Sequence, residues 1–560
     1  MPVVAARARP GWLAFAGAVL AGLLQALSLA APWDGQPLWW LQLLAQTVFA
    51  ALLWRQDTAR RAALTGWLFA TAWLAATFGW LFTSMHTYGG LPAPLALAAV
   101  LALAGFLALY TALVSALFFK LKRPVAHYSW ALNAIVFSAL WLLAELARGV
   151  WLTGFPWGAT GYAHGDGPLA AYAPWVGVYG MGAMAALLAM LLAQAWWPAG
   201  QREARQGLGH GQAGPAMVSA AGPLAAVLLL AALLPGGLDI GNQARLTPQD
   251  SAGVLSLTLL QGAIPQDEKF EQGTGVAMAL QWYGQALREA RESLVVAPET
   301  ALPLLPQDMP EGYWAALQAH VDQRNQPGGD QGGGQGGGTA VLIGTPLGSL
   351  AQGYTNSVYG LQPGQAEPYR YDKHHLVPFG EFIPPFFRWF TDLMHIPLGD
   401  FNRGSLGQPS MAWQGQRIAP NICYEDLFGE ELGVRFADER QAPTMFVNVS
   451  NLAWFGDGQA IDQHLQISRL RALEFARPMV RATNTGATVV IDHRGQVTAS
   501  FPRSKRGVLR TEVEGRHGLT PFAWWVSRFG LWPLWLLALA VVALAARGRS
   551  PRLPGIGVAP

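Results

Sequence analysis

The sequence predicts a polytopic α-helical membrane domain of eight spans followed by a soluble α/β domain, on three observations. Hydrophobic residues make up 52% of the 560 positions and charged residues only 13%, about half of the ~25% usual in a soluble protein. Eight apolar runs approach or exceed the ~17–25 residues that cross about 30 Å of hydrocarbon. Between the last two runs the composition changes near Gly241, and from about 250 to 515 the apolar residues recur with the short periods of strands and amphipathic helices. The chain is therefore read as three parts: 1–241 with spans one to seven, 250–515 as the soluble domain, and 521–560 as the eighth span and a tail. A formal charge of +3, with basic residues in short clusters between apolar runs, excludes a nucleic-acid binder, which needs a basic face. The single cysteine, Cys423, excludes an intramolecular disulfide and any cysteine-based zinc or iron–sulfur site.

The spans are 11–31, 38–54, 62–83, 92–119, 130–147, 172–197, 218–234 and 529–546. The first has Arg7 and Arg9 before its apolar core, as a signal peptide does, but six more runs follow at once and argue for a retained helix. Short loops on one side carry Arg7, Arg9, Arg55, Arg60, Arg61, Lys120, Lys122, Arg123, Arg202, Arg205, Arg547, Arg549 and Arg552, whereas those on the other carry only Arg148. By the positive-inside rule both termini are cytoplasmic and the long segment between spans seven and eight lies outside. Glu145 and Arg148, three apart at the outer end of span five, read as an i,i+3 pair at the interface.

In the soluble part, Leu255-Ser-Leu-Thr-Leu-Leu260 alternates as a half-buried strand and 276–291 has helical spacing. A short buried strand at 294–297 and a helix at 310–324 follow. Further strands fit 340–345, 354–361, 417–422, 444–449, 480–484, 487–492 and 507–513, with helices at 425–438 and 461–477. About 265 residues suffice for a substantial core. The Gly-rich stretch 327–338 is expected to be a surface loop without a phosphate-binding role, because no Lys-Ser/Thr follows it.

Three segments carry chemistry. Ala297-Pro-Glu299-Thr puts a carboxylate directly after a buried strand. Tyr371-Asp-Lys373-His-His-Leu-Val-Pro-Phe-Gly-Glu381 sets a lysine and a glutamate eight apart around a turn. Asn421-Ile-Cys423-Tyr-Glu425 places the only thiol between a strand and a helix. A thiol attacks as thiolate, and a nearby base or cation supplies that state. Glu299 suits the proton acceptor, Lys373 a stabiliser of thiolate and oxyanion, and the Tyr424 amide a second oxyanion donor. His374 and His375 invite a metal reading, but neighbours on an extended chain point to opposite faces, and no HExxH is present; no metal is expected. Residues 379–394, with Phe382, Phe386, Phe387, Trp389 and Phe390 around a Pro-Pro break, are expected to form a lid at the bilayer surface.

The order Glu, Lys, Cys at strand ends resembles the nitrilase superfamily, which implies an αββα sandwich. With the membrane part included, the chain resembles the apolipoprotein N-acyltransferase family over nearly its whole length. The resemblance rests on Glu145-Leu-Ala-Arg148-Gly, Thr153-Gly-Phe-Pro-Trp157, Gln261-Gly-Ala-Ile-Pro-Gln266, Tyr354-Thr-Asn356-Ser and the Lys373 segment. Phe401-Asn-Arg-Gly404, Cys423-Tyr-Glu425, Asn451-Leu-Ala-Trp454-Phe-Gly and Arg469-Leu-Arg-Ala-Leu-Glu474-Phe-Ala-Arg-Pro478 complete it. It implies Glu299 as general base, Lys373 as oxyanion and orienting residue, and Cys423 as nucleophile. Supporting or substrate-binding roles fall to Glu381, Tyr424, Glu425, Trp454, Asn356 and Phe270. Some members carry Trp where Phe270 and Ala297 stand; the first change keeps an aromatic surface, the second removes bulk beside the base. The implied reaction is a ping-pong transfer of an acyl chain from a phospholipid, phosphatidylethanolamine in the family. The chain passes through a Cys423 thioester to the α-amine of the N-terminal diacylglyceryl-cysteine of a lipoprotein, without cofactor. The implied setting is the bacterial inner membrane, with the soluble domain periplasmic and the protein monomeric. The alternative is a membrane-tethered amidase or nitrilase-type hydrolase, using water in place of the amine.

Overall fold

The computed structural model describes residues 11–123, 129–196, 250–324, 338–349, 351–384 and 400–548. The N-terminal part is helical: α1 (Gly11–Leu27), α2 (Trp39–Trp54), α3 (Ala59–Thr77), α4 (Ala93–Leu121), α5 (Ser129–Val150) and α6 (Ala173–Trp196). Three helical stretches, Ala93–Leu121, Ser129–Thr153 and Pro168–Ala195, are long and apolar enough to cross a membrane. Two bent pairs raise the number to five if each is one span: Ala59–Thr77 with Leu81–Tyr88, bent by 61°, and Pro521–Phe529 with Trp532–Arg547, bent by 86°. Gly11–Leu27 and Trp39–Trp54 are apolar but shorter; at about 1.5 Å per residue they reach ~25 Å. Against the expected eight spans, the described residues hold three to five helices long and apolar enough to cross and two shorter ones, and the seventh run, 218–234, lies outside them.

Small residues let these helices approach closely, which is how apolar helices associate without a hydrophobic drive between them. A Cβ on Gly22 of α1 would stand 2.2 Å from the Phe69 carbonyl oxygen of α3, and one on Gly149 of α5 would stand 2.1 Å from the Tyr179 hydroxyl of α6. Glu145 and Arg148 are both buried at this junction, contrary to the expectation of an interfacial pair. They turn to backbone instead of each other. Glu145 Oε1 accepts from the Thr160 amide at 2.7 Å and its hydroxyl at 2.6 Å, while Arg148 Nη1 donates to the Phe155 and Trp157 carbonyls, both at 2.7 Å. Together they shape the 150–160 connection.

The soluble part is two six-stranded sheets. Its strands are β1 (Ser251–Gln261), β2 (Leu294–Val296), β3 (Ala340–Ser349), β4 (Gly353–Leu361), β5 (Tyr369–Asp372), β6 (Met411–Trp413), β7 (Gln416–Ile422), β8 (Met445–Ser450), β9 (Met479–Thr483), β10 (Val489–Ile491), β11 (Val497–Ser500) and β12 (Gly507–Arg516). The orders are β12-β1-β2-β3-β4-β5 and β11-β10-β9-β8-β7-β6. Each sheet has a parallel centre, β1–β2–β3 and β7–β8–β9, with antiparallel strands outside. Leu257, Leu259 and Val296 of one sheet pack with Ile418, Val447 and Val480 of the other, so the sheets face each other. The outer face of the first sheet packs on helices α7 (Ala277–Glu289) and α8 (Tyr313–Gln323). The outer face of the second packs on α9 (Gln459–Phe475) and α10 (Pro521–Phe529), and α11 (Trp532–Arg547) ends the described chain. This is an αββα sandwich.

Three strands were not anticipated, β5, β6 and β11, all of three or four residues and near sheet edges, too short to show alternation. The helix expected at 425–438 is instead broken into the turn Cys423–Leu427 and the short pieces Gly429–Gly433 and Val434–Phe436. The break falls at Phe428, whose φ −103° and ψ 79° leave the helical region between the two pieces.

Candidate active site

The two parallel centres end at the same place, and their strand ends carry the site. After β2, Ala297 stays in register by donating to the Leu342 carbonyl at 2.8 Å, and the chain then turns through Glu299 to Thr300 at φ 49°. Gly344 of β3 admits this turn, since a Cβ there would stand 2.2 Å from the Pro298 carbonyl oxygen. Lys373 directly follows β5, its amide donating to the Asn356 carbonyl of β4 at 2.8 Å. Cys423 directly follows β7.

These placements join the three expected residues. Lys373 Nζ donates to Glu381 Oε1 at 2.8 Å and to Glu299 Oε1 at 3.3 Å, all three buried. Asn356 spans the same carboxylates, donating at 2.8 Å to Glu299 and 2.7 Å to Glu381. Glu299 Oε2 accepts from the Asn451 amide at 2.9 Å. Burial pushes the Lys373 ammonium down, but the charges of Glu381, Glu299 and Cys423 outweigh it and hold the group above its ordinary value. Glu381 is itself fixed, Oε2 accepting from the Val377 amide at 2.8 Å.

Cys423 is half-buried and adopts φ 51°, the left-handed region, which costs a non-glycine residue about 1–3 kcal/mol. Its surroundings hold that conformation. Glu425 Oε2 accepts from the Ile422 amide at 2.7 Å, and Asn448 Nδ2 donates to the Cys423 carbonyl at 3.1 Å. His464 Nε2 also reaches that carbonyl, at 3.2 Å, and Asp426 Oδ1 at 2.9 Å. Arg481 Nη2 donates to His464 Nδ1 at 2.9 Å, so the imidazole carries its proton on Nε2. Burial, then the Glu299 carboxylate, pushes the Cys423 thiol up, with Lys373 opposing. Cys423 therefore rests as the thiol.

Glu425 lies behind this layer, and its hydrogen bonds go to backbone amides and to Tyr371. It accepts from Ile422, from the His374 and His375 amides at 2.7 and 3.2 Å, and from the Tyr371 hydroxyl at 2.8 Å, tying the Lys373 segment to the cysteine turn. The two imidazoles diverge, His374 Nδ1 to the Gly404 carbonyl and His375 Nδ1 to Glu431, and no group of three His, Cys, Asp or Glu suited to a metal occurs among the described residues. Tyr424 donates to the Gly154 carbonyl at 3.2 Å and stacks with Phe155, joining the cysteine turn to the membrane helices. Trp454 meets the Tyr88 ring edge-on at 5.8 Å and is likewise turned toward the membrane part. Phe270 stays 45% exposed. Of the expected lid, residues 385–399, including Phe386, Phe387, Trp389 and Phe390, lie outside the described residues; Phe382 packs under the Arg403 guanidinium. The sequence reading missed Asn451, Lys269, His464, Asp426 and Arg481. Asn451 and Asp426 lie within or next to recognised motifs, and Lys269 is the neighbour of Phe270.

A Glu–Lys–Cys set at the strand ends of an αββα sandwich is the arrangement expected of the nitrilase class, and residues 257–518 match the family described as carbon-nitrogen hydrolase. The structure of a carbon-nitrogen hydrolase from Helicobacter pylori aligns with a TM-score of 0.32 at 16% identity, covering 50% of this chain and 94% of that one. Residues 21–191 match the apolipoprotein N-acyltransferase N-terminal domain. The apolipoprotein N-acyltransferase of Verminephrobacter eiseniae is 58% identical over 92% of this chain and 92% of its own length. That of Ralstonia nicotianae is 46% identical over 92% and 90%. The chain belongs to the apolipoprotein N-acyltransferase family, acyltransferases of the nitrilase superfamily.

Proposed function

We propose that the chain transfers an acyl group from phosphatidylethanolamine to the α-amine of diacylglyceryl-cysteine in two half-reactions on one cysteine. In the first, Cys423 Sγ attacks the ester carbonyl while Glu299 takes the thiol proton. The tetrahedral oxyanion forms against Lys373, and its collapse expels the glycerol oxygen of the lysophospholipid, which receives the proton from Glu299. In the second, the lipoprotein amine attacks the thioester, Glu299 accepts the amine proton, and collapse to the amide releases the Cys423 thiolate, which takes that proton back. An amine displaces a thiolate readily, so the sequence balances without a further reactant. The observation that carries this reading is the Lys373 ammonium held between Glu381 and Glu299 beside the Cys423 turn. A cation and a carboxylate held together next to the one thiol of the chain support this reading.

In this reading Asn356 and Glu381 orient the base and the lysine, Tyr424, Glu425 and Trp454 hold the cysteine turn against the membrane helices, and Phe270 meets the acyl chain. The protein acts as a monomer of the bacterial inner membrane, with eight spans, cytoplasmic termini and a periplasmic α/β domain over 250–515. The test mixes the purified full chain with tagged phospholipid and a diacylated lipopeptide. Tag recovered in an amide on the peptide supports the transferase; tag recovered as free fatty acid, with the peptide unmodified, identifies the hydrolase instead.

A further inference from the structure

Lys269 is a buried lysine that the reaction scheme above leaves without a role. It belongs to the connection leaving β1, and the chain folds back over it: a Cβ on Gly275 would stand 2.1 Å from the Glu268 carbonyl oxygen and 2.8 Å from Lys269 Cα. Its side chain is thereby turned inward, leaving the residue 1% exposed. Nζ donates to the Glu299 carbonyl at 3.2 Å and lies 5.9 Å from the Phe270 ring centroid. Among the described residues it forms no ion pair with a carboxylate; the charges that reach it are those of Glu299 and Cys423. Burying an ammonium on one backbone acceptor is costly, and a methionine would fill the space without that cost. The charge therefore needs a reason in the site.

Charge counting supplies one. Once Glu299 has taken the thiol proton, the Glu381 carboxylate offsets Lys373, and the new oxyanion faces no net positive charge from that trio. We propose that Lys269 is a positioning residue whose ammonium anchors the Glu299 turn and provides the second positive charge facing the Glu299–Cys423 pair. The proposal rests on the reading of Glu299 as base and Cys423 as nucleophile. Burial pushes Lys269 down to about 8, against Glu299 and Cys423, which favour its charged form. Acylation therefore declines as pH rises through that value and the ammonium is lost.

The experiment measures single-turnover acylation of the full chain in phospholipid-containing micelles across pH 6–10 (roughly the range spanning the lysine's titration). Lys269→Met is expected to slow acylation about tenfold or more at neutral pH and to remove the alkaline decline. Lys269→Arg, which stays charged, is expected to restore the rate and also lack the decline. A purely structural role would slow the reaction without changing its pH profile. Wild-type rate in Lys269→Met, or an alkaline decline surviving in both variants, overturns the proposal. Cys423→Ala in the same assay separates the claims. An adduct surviving there overturns the nucleophile and this inference with it, whereas its loss there with Lys269→Met unaffected overturns Lys269 alone.

Discussion

Glu299 is held on both carboxylate oxygens, by Asn356 and Lys373 on one and the Asn451 amide on the other. In its proposed role as base, a carboxylate so oriented has one direction left for a proton, which is what general-base catalysis requires. Glu299→Gln keeps the shape and removes the proton acceptor, so acylation of Cys423 should slow by about 10²–10⁴-fold, read as the rate of a hydroxylamine-sensitive adduct. Asn356→Asp would set a third carboxylate beside two buried ones and compete for Lys373. It should lose acylation nearly completely, whereas a rate within a few fold of wild type would show that the Asn356 bridge is dispensable. The sequence singled out Glu299, Lys373 and Cys423 through their joint order at strand ends and the family resemblance, since each alone is a weak signal. Asn451 acts on the base through its backbone amide, a donor that every non-proline residue has, and so leaves no trace in residue type. Lys269 was hidden for a different reason: a single lysine in a loop reads as a solvated charge until the fold buries it.

Helix α9 carries the load between the two parts of the molecule. On one side His464 and Ser468 bond to Asp426, in the Cys423 turn. On the other, Gln463 accepts from the indoles of Trp157 at 2.7 Å and Trp80 at 3.1 Å, and Gln466 donates to the Gly35 carbonyl at 2.9 Å. Arg469 makes a two-point pair with Asp166, and Glu474 accepts at 2.7 Å from the Val178 amide, next to the kink in α6 where Gly177 has φ 64°. The cysteine turn is thus tied to the membrane helices through α9 as well as directly through Tyr424. A double-mutant cycle on Asp166→Ala and Arg469→Ala should give a coupling of about 0.5–3 kcal/mol in thermal or denaturant unfolding; strict additivity would mean the pair contributes no docking energy. Asp426 sets the acid limit of this element. Burial alone would raise its pKa, but His464, Arg481 and Ser468 hold it below the ordinary aspartate range. A depressed carboxyl stabilises the fold above its unfolded pKa of about 3.9, and that stability fades as pH falls through the lower folded value. Asp426→Asn should therefore destabilise at neutral pH and flatten the acid limb of the stability profile. Helix α9 itself was legible from sequence, expected at 461–477 and found at Gln459–Phe475, because its apolar period is sustained. Its polar contacts were not, since sequence spacing says nothing of which residues 300 or more positions away arrive opposite.

At the scale of the whole molecule, the charges and the contacts divide the membrane helices into two ends. The sandwich touches them at the connections holding Gly35, Trp80, Gly154, Trp157 and Asp166. Arg55, Arg60 and Arg61 join α2 to α3, and Lys120, Lys122 and Arg123 end α4, at the opposite ends of those helices. Lys122 closes that end by donating to the Trp54 and Gln56 carbonyls at 2.8 and 2.9 Å. On the proposed orientation the positive-inside bias puts the basic end in the cytoplasm, and the sandwich would then face the periplasm. This separation was legible as a bias of charges between alternate loops; the number of crossings was not, because length and apolarity do not distinguish a full span from a short or bent helix. Reporter fusions test the orientation and the parity of crossings together. An enzyme active only outside the cytoplasm should be active when fused after Gly241 and silent after Arg123. Activity after Arg123 would invert the orientation. Silence after Gly241, with Arg123 silent as well, would leave an even number of crossings before the sandwich and place its active site in the cytoplasm, where diacylglyceryl-cysteine on an exported lipoprotein does not reach it.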